Sequence, residues 1–149
     1  ANSVTESSSV SNRYNLAVSY LLMDKFSLAR QEATEVVELG AIEKGERIID
    51  LSYDLTEWKK EYYKQYVAGR INLIEGNQLR QQGELDEAKM EYQASMSENY
   101  QYQPPYFYLS LFYSVTKQND KLELAKHGVN DKTKGLLQEV IAVINEVKA

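Results

Sequence analysis

Cysteine is missing from all 149 residues of the chain. That removes thiol catalysis, cysteine-type zinc sites and disulfides together, and it leaves the compartment open. Only 2 prolines and 7 glycines are present, so few positions force a turn, and the many helix formers between them predict an almost wholly α-helical protein. There is one histidine, His127. No serine or carboxylate near it forms a nucleophile pattern, and beside Gly128 it reads as a helix-end residue, not a ligand or base. Neither a glycine-rich phosphate loop nor an HExxH motif occurs. No apolar run reaches the roughly 18 residues of a membrane span. The 17 basic and 22 acidic residues give a net charge of -5 with the signs interspersed, which provides no basic stripe for nucleic acid. Acidic residues such as Glu84, Asp86, Glu87 and Glu91 fall in the pattern of a solvated helix face and not of a catalytic pair. The expectation is a non-enzyme without cofactor or metal.

What the chain does contain is one spacing used three times. A small or aromatic residue in one helix-like segment is followed twelve positions later by an alanine that opens A-x3-[A/Y/V] in the next. Leu16-Ala17-x2-Tyr20 goes with Ala29-x3-Ala33, Gly76-x2-Leu79 with Ala88-x3-Tyr92, and Tyr113 with Ala125-x3-Val129. Small residues at such positions let antiparallel helices approach closely, and a large residue one turn further on fills the space beside them.

The pattern resembles the tetratricopeptide repeat family, W-x2-L-G-x2-Y, then A-x3-F, then P, in units of about 34 residues. Gly76, Leu79, the turn Gly83-Glu84-Leu85, Ala88 and Tyr92 match it best. Leu16, Ala17, Tyr20, Asp24-Lys25-Phe26, Ala29 and Ala33 form the first unit, and Leu109, Phe112, Tyr113, Leu122, Ala125 and Val129 the third. The intervals between units, 59 and 37 residues, are not the family period. No unit carries the tryptophan, and the closing proline appears only as Pro104-Pro105. The resemblance implies an all-α fold of about three irregular antiparallel hairpins in a right-handed superhelical stack. The expected units are 11–39, 70–99 and 106–130, with an insertion at 40–69, a capping helix at 131–148 and a polar flexible segment at 1–10.

Helix signals place the elements. Ser27 is a candidate cap for the second helix, which stops at Gly40. Thr56 is expected to head a long helix through Gln82, with Leu55, Trp58, Tyr62, Tyr66 and Leu73 as its stripe and Gly69 as a kink or break. Leu85, Ala88, Tyr92 and Met96 form the stripe of its partner. Asn130 or Asp131 caps the last helix, whose apolar side covers the open end of the stack.

In the family, first helices line a concave groove that holds a peptide or a partner's helix. Carried over, that face comprises Tyr14, Val18 and Leu21; Arg70, Leu73, Asn77 and Arg80; and Phe107, Ser110, Ser114 and Lys117. Arg70, Asn77 and Arg80 share one helix face and are candidates to hold a carboxylate or phosphate, against a plain solvated face. Tyr100, Tyr102, Tyr106 and Tyr108 alternate about the proline pair and read equally as core or as recognition surface. The expected role is a protein or peptide interaction scaffold. The alternatives are a self-associating structural domain and a small-ligand-binding domain of a bacterial envelope protein. The serine-rich start without an initiator methionine reads as a processed or trimmed end, favouring export over the cytoplasm.

Overall fold

The computed structural model describes residues 2–147, with side chains from residue 9 onward. Helical periodicity is realised as eight α-helices among the described residues, which contain no strand. In order they are α1 (Asn2–Leu22), α2 (Phe26–Glu38), α3 (Ile42–Tyr63), α4 (Arg70–Gln81), α5 (Leu85–Glu98), α6 (Gln103–Val115), α7 (Asn119–Lys126) and α8 (Asp131–Val147). They divide into two units, residues 1–57 with 142–149 and residues 58–141.

Three antiparallel hairpins, α1 with α2, α4 with α5 and α6 with α7, share one kind of turn. The first helix of each ends in a left-handed residue: Asp24 at φ 61°, Gly83 at φ 82° and Lys117 at φ 59°. The next residue's N–H then reaches back across the turn: Lys25 to Tyr20 O, Glu84 to Leu79 O and Gln118 to Tyr113 O, each at 2.9 Å. This is the Schellman closure, which satisfies carbonyls that the helix end leaves unpaired.

In the first unit, Ala17, Ala29 and Ala33 are fully buried where α1 meets α2, beside Tyr14, Val18, Leu21 and Val36. The start of α3 lies against α2 at Gly45, where a Cβ would stand 2.6 Å from the carbonyl of Ala33. The last turn of α8 is held by Glu146, which accepts from the buried Tyr14 hydroxyl at 2.7 Å and from Arg47 at 2.8 Å. The Tyr14 hydroxyl, with Arg47 adding to it, keeps the Glu146 carboxyl below the ordinary carboxylate range. A depressed carboxyl stabilises the fold fully above its ordinary value of 4.5, and that contribution is lost as pH falls through the lower folded value. Glu146→Gln is therefore expected to flatten the acid side of a melting-temperature profile; an unchanged slope between about pH 2 and pH 5 would show that the carboxylate contributes nothing there.

In the second unit, α4 packs on α5, α5 on α6, and α6 on α7. Pro104 and Pro105 stand in the first turn of α6, where a missing N–H costs no helical bond, so they open that helix and do not close the one before. Asn130 caps α8 by accepting from the Thr133 N–H at 2.9 Å.

Several expectations are corrected. The long helix from Thr56 to Gln82 does not exist: Thr56 lies inside α3, which occupies most of the expected insertion, and the chain leaves helical geometry between Tyr63 and Arg70. Gly69 sits there at φ 90°, a value that interrupts a right-handed helix. α1 starts at Asn2, inside the 1–10 segment expected to precede the first unit. α2 starts at Phe26, ahead of the proposed cap Ser27. Leu85 is exposed and takes no part in the buried stripe of α5, which is Ala88, Tyr92 and Ser95.

Candidate functional site

On α4, residues 73, 77 and 80 recur at four and three positions and therefore share a face. Leu73 and Asn77 are buried, as is Phe107 on α6. The cover comes from the chain itself. The end of α3 lays Trp58 on Phe107 with ring centroids 4.6 Å apart, and Trp58 Nε1 donates to Thr133 of α8 at 3.0 Å. Tyr62 is fixed at both ends, its hydroxyl accepting from Asn130 at 3.0 Å and its carbonyl accepting from the Tyr102 hydroxyl at 2.8 Å.

A polar chain crosses this face. Arg80 Nε donates to the Tyr92 hydroxyl at 2.9 Å, which donates to Asn77 Oδ1 at 2.7 Å. Asn77 Nδ2 donates to the Tyr63 hydroxyl at 2.8 Å, and the Tyr63 and Tyr108 hydroxyls bond each other. Tyr92 and Tyr108 stack at 5.4 Å, and the Arg80 guanidinium lies 4.4 Å over the Tyr108 ring. Both ends of the Asn77 amide are thus satisfied internally, as a buried polar group requires. The arrangement rigidifies a core; it presents no acid–base pair, and among the described residues no three His, Asp or Glu side chains converge to hold a metal.

The expected anion set does not come together. Arg70 and Arg80 stand about 15 Å apart along the axis at 1.5 Å per residue. Arg70 Nε donates to the Tyr63 carbonyl at 2.8 Å, and its guanidinium lies 4.9 Å over the exposed ring of Tyr66, while Arg80 is engaged with Tyr92 and Tyr108. Tyr14, Val18 and Leu21 are buried within the first unit, and Leu73, Phe107 and Ser110 within the second. Of the carried-over face, Arg70, Arg80 and Ser114 keep part of their surface and Lys117 is exposed. The tyrosine cluster resolves as core: Tyr102, Tyr106 and Tyr108 are buried, and only Tyr100 faces solvent. Burial pushes the Tyr102 hydroxyl up to about 12, so it stays a neutral donor to the Tyr62 carbonyl. His127 is exposed at the end of α7.

Sequence reasoning missed Tyr63 on this face, and it placed Ser110 as a groove residue and not as the small packing residue of the third hairpin. Tyr63 stands next to the stripe residue Tyr62 and not on it, so periodicity does not flag it. Ser110 lies seven residues before the left-handed Lys117, as Gly76 lies seven before Gly83 and Ala17 seven before Asp24. The third segment's register is therefore shifted by three from the expected one, with Ser110 and not Tyr113 level with Gly76. The Ser110 hydroxyl is buried and has no hydrogen-bond partner among the described residues. Removing an unsatisfied buried hydroxyl is favourable, so Ser110→Ala is expected to raise stability by about 1 kcal/mol in chemical denaturation. A loss of that size would mean the hydroxyl is satisfied in solution.

Geometry defines the chain as an all-α protein of helical hairpins. Comparison with protein families, with characterised proteins and with solved structures returns no match.

Proposed function

We propose that the chain is a non-enzymatic protein-interaction scaffold of tetratricopeptide-like construction. The observation that carries this reading is the common turn with its small residue. Ala17, Gly76 and Ser110 are each buried seven residues before a left-handed turn residue, and each turn closes with the same bond. In this register the second and third units stand 34 residues apart, from Gly76 to Ser110 and from Gly83 to Lys117, which is the family's period. The third unit then reads Tyr106-x2-Leu109-Ser110-x2-Tyr113, close to W-x2-L-G-x2-Y.

The deep part of the first-helix face is filled by Trp58 and Tyr63, so recognition falls to its rim. Arg80 and Ser114 occupy equivalent positions in consecutive units, with Lys117 one turn beyond Ser114. This rim is basic and suits an acidic peptide segment of a partner protein. The test is an affinity capture from the native host's lysate with wild-type chain beside a Ser114→Glu/Lys117→Glu variant, whose residues lie outside the buried tyrosine network. A partner held by wild type and lost by the variant supports the rim, and equal capture by both overturns it.

A further inference from the structure

We infer that residues 58–63 form a detachable strap over the first-helix face of the second unit, and that the face beneath receives an aromatic helix of a partner protein by the same contacts. The partner class rests on the proposed scaffold role; the strap itself does not.

Topology makes the strap separable. α4 to α7 form two complete hairpins, each closed by its own left-handed turn, at Gly83 and at Lys117, and α5 packs on α6 between them. Residues 58–63 enter this unit from the end of α3 and are joined to α4 only through residues 64–69. There the chain is non-helical, and Lys64, Gln65 and Tyr66 are exposed. When the strap leaves, both hairpins keep their own backbone bonds and their packing on each other. A segment tied in by side chains alone and bordered by a solvated connection opens below the free energy of global unfolding.

The contact has the make-up of an interface more than of a hydrocarbon core. Three rings each carry a polar tip with a defined partner. Trp58 Nε1 donates to Thr133 Oγ1 at 3.0 Å, the Tyr62 hydroxyl accepts from Asn130 at 3.0 Å, and the Tyr63 hydroxyl accepts from Asn77 at 2.8 Å. Phe107 is the apolar floor beneath the indole. On the strap's other side Lys60 and Glu61 are exposed, and Glu61 pairs with Lys132 at 2.6 Å. Buried Trp and Tyr anchors on one side and solvated charges on the other are the features of a helix docked in a groove.

What the strap covers decides what can replace it. Phe107 is 2% exposed, Asn77 7% and Thr133 0%, so a vacated face presents an apolar ring flanked by an amide and a hydroxyl. These groups match an indole and two phenols at positions i, i+4 and i+5 of a helix, the spacing of Trp58, Tyr62 and Tyr63. An aliphatic helix would take from the Asn77 amide N–H and the Thr133 hydroxyl the partners they now have, a cost that selects an aromatic one. Any such partner competes with the strap, and its apparent affinity falls by the fraction of molecules in which the face is open. The strap is therefore autoinhibitory.

The probe is a fluorescein-labelled peptide of residues 55–66, titrated by anisotropy against the full chain and against its Trp58→Ala variant, whose strap lacks the main anchor. The expected result is binding to the variant about tenfold or more tighter than to wild type. The peptide should also raise the variant's melting temperature. A control peptide carrying Trp58→Ala, Tyr62→Ala and Tyr63→Ala should do neither. In wild type, rising urea should expose Trp58 to iodide before far-ultraviolet circular dichroism is lost, because the strap opens ahead of the hairpins. If circular dichroism shows that the variant does not fold, the urea comparison alone decides. Coincident transitions in wild type overturn the strap, as does a folded variant that binds neither peptide or both equally. A failed peptide titration leaves the rim capture standing, and equal capture by the rim variant leaves the peptide result standing, so the two readings fail separately.

Discussion

Trp58→Ala is expected to lower the stability of the chain by about 3–5 kcal/mol, a large part of the 5–15 kcal/mol typical of a domain. The indole is almost fully buried, and its ring lies on Phe107 and beside Tyr62. Its removal opens a cavity at the centre of the second unit and leaves the Thr133 hydroxyl, also fully buried, without its donor. At roughly 2–4 °C per kcal/mol for a chain of this size, the melting temperature should fall by about 6–20 °C. Far-ultraviolet circular dichroism reads this without the tryptophan signal. Trp58→Phe keeps most of the packing and should lose far less. If Trp58→Ala unfolds like wild type, α3 does not seat on α6 as described.

The second large effect is at Gly76. A Cβ there would stand 2.8 Å from the Tyr92 ring. That ring cannot swing away, because it stacks on Tyr108 and its hydroxyl bonds Asn77 and Arg80. Gly76→Val must therefore part α4 from α5 or break the polar chain, at a cost of about 3 kcal/mol or more. Gly76→Ala gains about 1 kcal/mol of helix propensity against a smaller clash, so its loss should be clearly less than that of valine. Urea denaturation of the three proteins gives the order Gly, Ala, Val from most to least stable. An alanine variant more stable than wild type would place the two helices further apart.

The helical class, the turns at Asp24 and Gly83, and the cap at Asn130 were legible in the sequence because each rests on local signals: spacing, a turn-forming residue, a side-chain oxygen before an apolar run. The register of the third unit was read three residues late, at Tyr113 instead of Ser110. Its left-handed residue is Lys117, which carries no glycine to announce it, whereas Tyr113 and Ala125 copy the expected spacing by chance. The break between α3 and α4 was marked in the sequence by Gly69 alone, as a kink or break; its extent, from Tyr63 to Arg70, was masked because Tyr62, Tyr66 and Leu73 continue a helical rhythm through it. For the candidate site the limit was tertiary. Asn77 and Arg80 look like a solvated polar face along α4, and nothing local says that Tyr63 from the preceding helix and Tyr108 from a later one will close over them. Periodicity finds faces; it does not say which face the rest of the chain will cover.

The first-helix face of the second unit is filled by its own chain, with Trp58 and Tyr63 from the end of α3 lying over Phe107 and Asn77. The one tryptophan of the sequence, Trp58, reports on it directly. Its fluorescence in native buffer should be blue-shifted and insensitive to iodide, and both properties should be lost on unfolding in urea. Red-shifted native emission, quenched by iodide as readily as in the unfolded chain, would put the indole in water and contradict the account.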